Sequence, residues 1–134
     1  MRRPILVVAL LGVVSAGAAP ALGAGAGSPV HDSRRDPAHL LVYAQEWSLW
    51  PSRSSLPAGS VSVELWNRGQ DAHDLRLRHW RGGRMVGAID GAVHVTQSGD
   101  ISQASWRLKP GRYMLYCSMP GHYMRGMHTV ITVR

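Results

Sequence analysis

The chain has 134 residues, with 15 lysines and arginines, eight acidic residues, seven histidines and a single cysteine. One cysteine excludes an intramolecular disulfide, and the length leaves room for one domain rather than several. The net charge of +7 is scattered along the chain, which favours a solvated basic surface over a nucleic-acid interface.

The first segment, MRRPILVVALLGVVSAGAAPALGAGAG, opens with Arg2 and Arg3, runs apolar from Ile5 to Val14 and ends in small residues. That is the layout of a secretory signal peptide, with cleavage near residues 23–26. Its apolar run is too short to cross a hydrocarbon core of about 30 Å as a stable helix. Membrane contact is expected only if the signal stays attached. Removing residues 1–26 takes away two arginines and no acids, leaving thirteen basic residues against eight acidic ones, a net +5. Such a charge suits an acidic protein partner or an anionic surface. Residues 27–38 are rich in small, charged and proline residues and read as a flexible leader. Residues 39–134 then form one small domain, of the size that often needs a metal or disulfide as a staple.

Within that domain the signals are those of short strands. LLVYAQEWSLW, from Leu40 to Trp50, is rich in β-forming residues, and WPSRSSLPAG breaks the run. SVSVELWN places Val61, Val63 and Leu65 on one face and Ser62 and Glu64 on the other. In HDLRLRH, His73, Leu75 and Leu77 share a face, with Asp74, Arg76 and Arg78 opposite. Residues 82–99 leave a helix least excluded. ISQASWRL, RYMLYC and MHTVITV complete a set of alternating runs between turns, the pattern of a β-sandwich or barrel.

The chemistry concentrates in YCSMPGHYMRGM, where Cys117, His122 and Met127 are each separated by four residues and Pro120–Gly121 supplies a turn. Thiolate and thioether are soft ligands and imidazole suits copper. Two histidines, a cysteine and a weak axial methionine point to copper used for electron transfer. The second histidine must come from elsewhere, and His73 and His79 both fall on the apolar face of one predicted strand. Six residues at about 3.3 Å each separate them by roughly 20 Å, so only one can reach the loop. His73 is preferred because it opens its strand after the turn NRGQDA.

These residues resemble the cupredoxins, the small type 1 or blue copper proteins, over residues 40–133. LPAGSVSVELWNRGQDAHDL looks like the family's strand, turn and first histidine, and PGRYMLYCSMPGHYMRGMHTVITV like its ligand loop and last strand. The loop spacing is similar to that of rusticyanin-like, sulfocyanin-like and auracyanin-like members and longer than that of plastocyanin. The resemblance implies an all-β Greek-key sandwich holding one copper ion that cycles between Cu(I) and Cu(II). It implies His73, Cys117 and His122 as equatorial ligands and Met127 as the long axial one. Asp74 matches the family's polar residue that hydrogen-bonds towards the cysteine segment, where Asn or Ser is more usual, and Asn67 matches a supporting asparagine. An apolar patch of Met119, Pro120, Tyr123 and Met124 would surround the His122 ring edge.

The implied role is that of an exported, periplasmic or extracytoplasmic electron carrier. It would be a monomer and not an enzyme, exchanging electrons with a donor and an acceptor redox protein. The rival reading is a periplasmic copper carrier or storage protein that uses Met114, Met119, Met124 and Met127 with His94, His122 and His128. Structural zinc sites favour several thiolates and rarely use methionine. A dinuclear copper centre needs a second bridging cysteine, and Gly121 stands where it would be. A Cys–His nucleophile lacks an evident oxyanion hole or orienting third group.

Overall fold

The alternation read from the sequence is realised as two packed sheets, in a computed structural model that describes residues 36–134. The expected signal peptide, 1–26, and the leader as far as residue 35 lie outside the described residues. The strands are β1 (Ala38–Gln45), β2 (Ser48–Pro51), β3 (Ser55–Leu56), β4 (Gly59–Asn67), β5 (His73–Arg81), β6 (Arg84–Thr96), β7 (Ile101–Leu108), β8 (Gly111–Tyr116) and β9 (His128–Val133). One sheet has the order β2-β1-β4-β7 and the other β3-β9-β8-β5-β6. Pairing is antiparallel except for β1 with β4 and β3 with β9, which run parallel.

The core lies between the sheets, filled by alternate residues of each strand. Leu40, Val42 and Ala44 of β1 and Val61, Val63 and Leu65 of β4 face Leu75 and Leu77 of β5, Tyr113 and Leu115 of β8, and Ile131 and Val133 of β9. Each fully buried aliphatic side chain of this kind contributes about 1.5–3 kcal/mol relative to exposure. A one-residue register slip would turn the whole set outward, so the register is strongly specified.

Two stretches differ from the sequence-based expectation. Residues 82–99, left open to a helix, are mostly β6, which pairs with β5 through several register shifts. Its apolar residues are scattered because much of the strand is exposed, so its pattern carries little period. The run from Leu40 to Trp50 is two strands rather than one. It folds back at Glu46–Trp47, and β1 and β2 pair from Gln45↔Ser48 to Val42↔Pro51. No proline or glycine marks that turn, so composition alone hides it.

The topology brings several chain segments to one end of the sandwich. Because β1 runs parallel to β4, with Ala44 opposite Asn67, the β1–β2 turn lies beside the 67–72 loop that leads into β5. β5 and β8 are antiparallel with Arg76 opposite Tyr116, so the start of β5 meets the end of β8. β8 and β9 pair Tyr116 with His128, which closes the loop between them at the same end.

Candidate metal centre

The Cys117–Met127 loop is held at its neck, where the Cys117 N–H donates to the Met127 carbonyl at 3.0 Å. Within it the His122 N–H donates to the Met119 carbonyl and the Met127 N–H to the His122 carbonyl, both at 3.1 Å. A single 3₁₀ turn, Tyr123–Arg125, ends at Gly126, whose φ of 115° lies in the region that favours glycine. A Cβ there would also meet the Trp47 carbonyl oxygen at 3.1 Å, so the loop closes tightly against the β1–β2 turn. This backbone sends Cys117, His122 and Met127 inward; Cys117 and Met127 are fully buried, and His122 is 9 % exposed.

His73, also fully buried, opens β5 opposite this loop. A ligand atom from each of His73, Cys117 and His122 lies within 4.8 Å of the others, the one such cluster of three found among the described residues. His73 Nδ1 is 3.2 Å from His122 Nδ1, and Cys117 Sγ is 3.5 Å from His122 Nδ1. The other ring nitrogen of His73, Nε2, is 3.0 Å from Glu46 Oε1. A carboxylate can only accept, so the imidazole proton belongs on Nε2 and the Nδ1 lone pair faces Cys117 and His122. Burial pushes the His73 pKa below its ordinary value against the raising effect of the Glu46 bond and charge, which keeps the ring neutral. Burial pushes the Cys117 thiol up. A metal cation would reverse that and take the sulfur as thiolate.

The surrounding contacts explain how these side chains are held. Asp74, 1 % exposed, accepts hydrogen bonds from the Ser118 N–H at 2.6 Å and from the Ser118 hydroxyl, and pairs with Arg76 Nε at 2.8 Å. It therefore ties the residue after His73 to the residue after Cys117. Burial opposes its charge, but the Ser118 and Arg76 contacts prevail and hold its pKa below the ordinary carboxylate value. Asn67 is fully buried, and its side-chain hydrogen bonds go to the backbone. Its amide donates to the Asp71 and Thr96 carbonyls at 2.7 and 2.9 Å and accepts from the Gly69 N–H at 2.9 Å, shaping the loop that delivers His73.

Of the expected patch, Pro120 and Met124 are exposed, Met124 at 85 %, while Met119 and Tyr123 are half-buried. Tyr123 rests against His128, with ring centroids 4.6 Å apart. Of the thioethers and imidazoles of the rival copper-carrier reading, Met114 is buried in β8, and His94 and His128 are exposed. His79 stands away from the cluster, stacked on Tyr113 at 4.3 Å, and β5–β8 pairing puts it three rungs beyond Arg76.

Two residues of this end escape sequence reasoning. Glu46 accepts from the Gln70 and Asp71 N–H groups, both at 2.8 Å, besides its contact with His73. Trp47 sets its ring edge-on to His122 at 5.0 Å, and Arg125 lies 4.3 Å over the Trp47 ring. No spacing links Glu46 to His73; its one sequence signal is that it is the sole acidic residue in the run from Leu40 to Trp50.

The clustered side chains fit copper on their chemistry, one buried sulfur that can ionise and two imidazoles with Nδ1 facing inward, and the expected fourth donor, the Met127 thioether, is buried at the loop's end. No protein-family model matches the sequence, and no curated protein matches it. Solved structures do. Auracyanin from Roseiflexus castenholzii superposes with a TM-score of 0.60 at 17% identity, covering 72% of this chain and 97% of that one. Auracyanin A, described as a "blue" copper protein from Chloroflexus aurantiacus, gives 0.59 at 15% identity and covers 74% of this chain and 100% of its own. Rusticyanin from Thiobacillus ferrooxidans gives 0.60 at 18% identity, covering 72% and 76%. The described residues thus form a β-sandwich of the cupredoxin fold, similar in fold to the auracyanins and rusticyanin.

Proposed function

We propose that this chain is an exported mononuclear type 1 copper protein that carries single electrons between redox partners. The observation that carries the reading is the convergence of His73, Cys117 and His122 within 4.8 Å at one buried end of the sandwich. His73, Cys117 and His122 would hold the ion, and Met127, buried where the loop closes, would be its weaker fourth donor. Copper bound there supplies a one-electron Cu(II)/Cu(I) couple tuned by the axial ligand and by the surroundings of the sulfur. The polypeptide's part is to keep both oxidation states in one geometry. The Cys117–Met127 backbone bond, the Asp74–Ser118 bonds and the Glu46–His73 contact fix the donors through the start of β5, the Cys117–Met127 loop and the β1–β2 turn. The surrounding core excludes water from the sulfur. The auracyanin and rusticyanin likeness in fold supports the same reading.

In this role the protein acts as a carrier and not as an enzyme, and works as a monomer outside the cytoplasm. Met119, Pro120, Tyr123 and Met124 form the docking patch beside His122. The net +5 of residues 27–134 suits donor or acceptor proteins with acidic faces. Among the described residues no helix is long and apolar enough to cross a membrane.

The deciding experiment is an absorption spectrum of purified protein loaded with Cu(II). Intense visible absorption that vanishes in Cys117→Ser is the expected result. A colourless Cu(II) form of the native protein sinks the reading.

A further inference from the structure

The turn between β1 and β2 contacts both histidines of the cluster: Glu46 reaches Nε2 of His73 at 3.0 Å, and Trp47 packs edge-on against His122 at 5.0 Å. We propose that Glu46 is a positioning residue of the centre, which fixes the His73 tautomer and orientation and, through its charge, lowers the reduction potential of the bound copper. The inference rests on the copper reading above.

First, Glu46 is itself held. Oε1 accepts from the Gln70 and Asp71 N–H groups at 2.8 Å, so the carboxylate is anchored to the loop that delivers His73. Gly69 makes room for it, because a Cβ at that position would stand 2.2 Å from Oε1 and 2.7 Å from Cδ and Oε2. Secondly, a held carboxylate commits the His73 proton to Nε2 and leaves the Nδ1 lone pair aimed at the cluster before any ion arrives. Histidine ligands are commonly oriented this way by a second group, and losing that group typically costs about 10–100-fold in metal affinity or activity. Thirdly, a negative charge one imidazole away from the ion stabilises the doubly charged state more than the singly charged one. Copper in the native protein is therefore harder to reduce than with a neutral residue at position 46.

Two measurements test this independently. In metal-free protein, ¹⁵N–¹H NMR of the imidazoles should show His73 neutral with its proton on Nε2 in the native chain, and a tautomer mixture in Glu46→Ala. A native His73 protonated on Nδ1 overturns the proposal. In Cu(II)-loaded protein, Glu46→Gln keeps the shape and one acceptor oxygen but removes the charge. It should retain the visible band while the Cu(II):Cu(I) affinity ratio falls about tenfold, an upward shift of about 59 mV for one electron. Gly69→Ala should displace the carboxylate without removing it and shift the potential in the same direction by less. An unchanged potential in Glu46→Gln with the band intact overturns the proposal. A native protein without the band would defeat the blue-copper reading, and the metal-free NMR experiment would still decide whether Glu46 fixes His73.

Discussion

His73 and His79 are the same residue type on the same face of the same strand, yet only one joins a cluster. His73 is fully buried with its two ring nitrogens facing Glu46 and His122. His79 is about one-third exposed, lies over Tyr113 and has Asp90 as its nearest acid, 3.8 Å from Nε2. The difference comes from what the neighbouring strands bring to each end of β5. At the His73 end, β8 finishes and the Cys117–Met127 loop begins; at the His79 end, β8 is still in mid-strand at Tyr113. A histidine's chemistry here is decided by strand register rather than by its own strand's pattern.

Removing each ring in turn tests the contrast between the two histidines most directly. His73→Ala should abolish the normal visible spectrum and weaken copper binding by more than the roughly 10–100-fold expected for losing an outer partner. His79→Ala should leave the spectrum unchanged and cost about 1 kcal/mol of stability, through lost packing on Tyr113. Absorption spectra and copper titrations of the two variants check this. The reverse pattern would show that the ligand lies at the other end of β5.

How much of this end is legible in the sequence depends on how local each signal is. Cys117, His122 and Met127 lie within eleven residues and announce a site by spacing and residue type. His73 needed one step more, the direction of a strand, which alternation and the preceding turn supply. Glu46 and Trp47 were not legible because they act through the parallel pairing of β1 with β4. That pairing joins segments some twenty residues apart, and no alternation pattern encodes it. β6 was missed for the opposite reason, since an exposed strand with Gly87 and Gly91 in it shows little period at all. Asp74 was visible as a position but not as a buried one, because only the Ser118 and Arg76 contacts make its burial affordable.

A second, smaller effect makes the start of β5 sensitive to pH. Asp74 and His73 both have native pKa values below their ordinary ones. For such groups the unfolded chain binds more protons on acidification, so stability is full above the unfolded pKa and is lost as pH falls through the native one. Metal-free protein should therefore lose stability first below the ordinary imidazole value, from His73, and again below the ordinary carboxylate value, from Asp74. Urea midpoints measured from neutral pH down into the carboxylate range check the trend. Asp74→Asn should flatten the lower limb. Asp74→Ala, which strands the Ser118 N–H and the Arg76 guanidinium, should cost about 1–3 kcal/mol at neutral pH. A pH-independent urea midpoint in the native protein would show that these contacts do not hold charge.

The smallest effect belongs to Met127, and it separates two kinds of burial within the site. Cys117 and Met127 are both fully buried and joined by a backbone bond at the loop neck. The proposed thiolate would dominate binding, and the thioether would only tune it. Methionine to leucine nearly conserves volume, and such swaps usually cost under about 1.5 kcal/mol. The Cys117 N–H to Met127 carbonyl bond does not involve the side chain and survives the change. Met127→Leu should therefore keep the fold, the copper and the visible band, and shift only the reduction potential, upward because a weak donor to Cu(II) is lost. Voltammetry beside a copper titration separates the outcomes. Loss of copper in this variant would make Met127 a primary ligand, whereas an unchanged potential would make it a core residue that merely closes the loop.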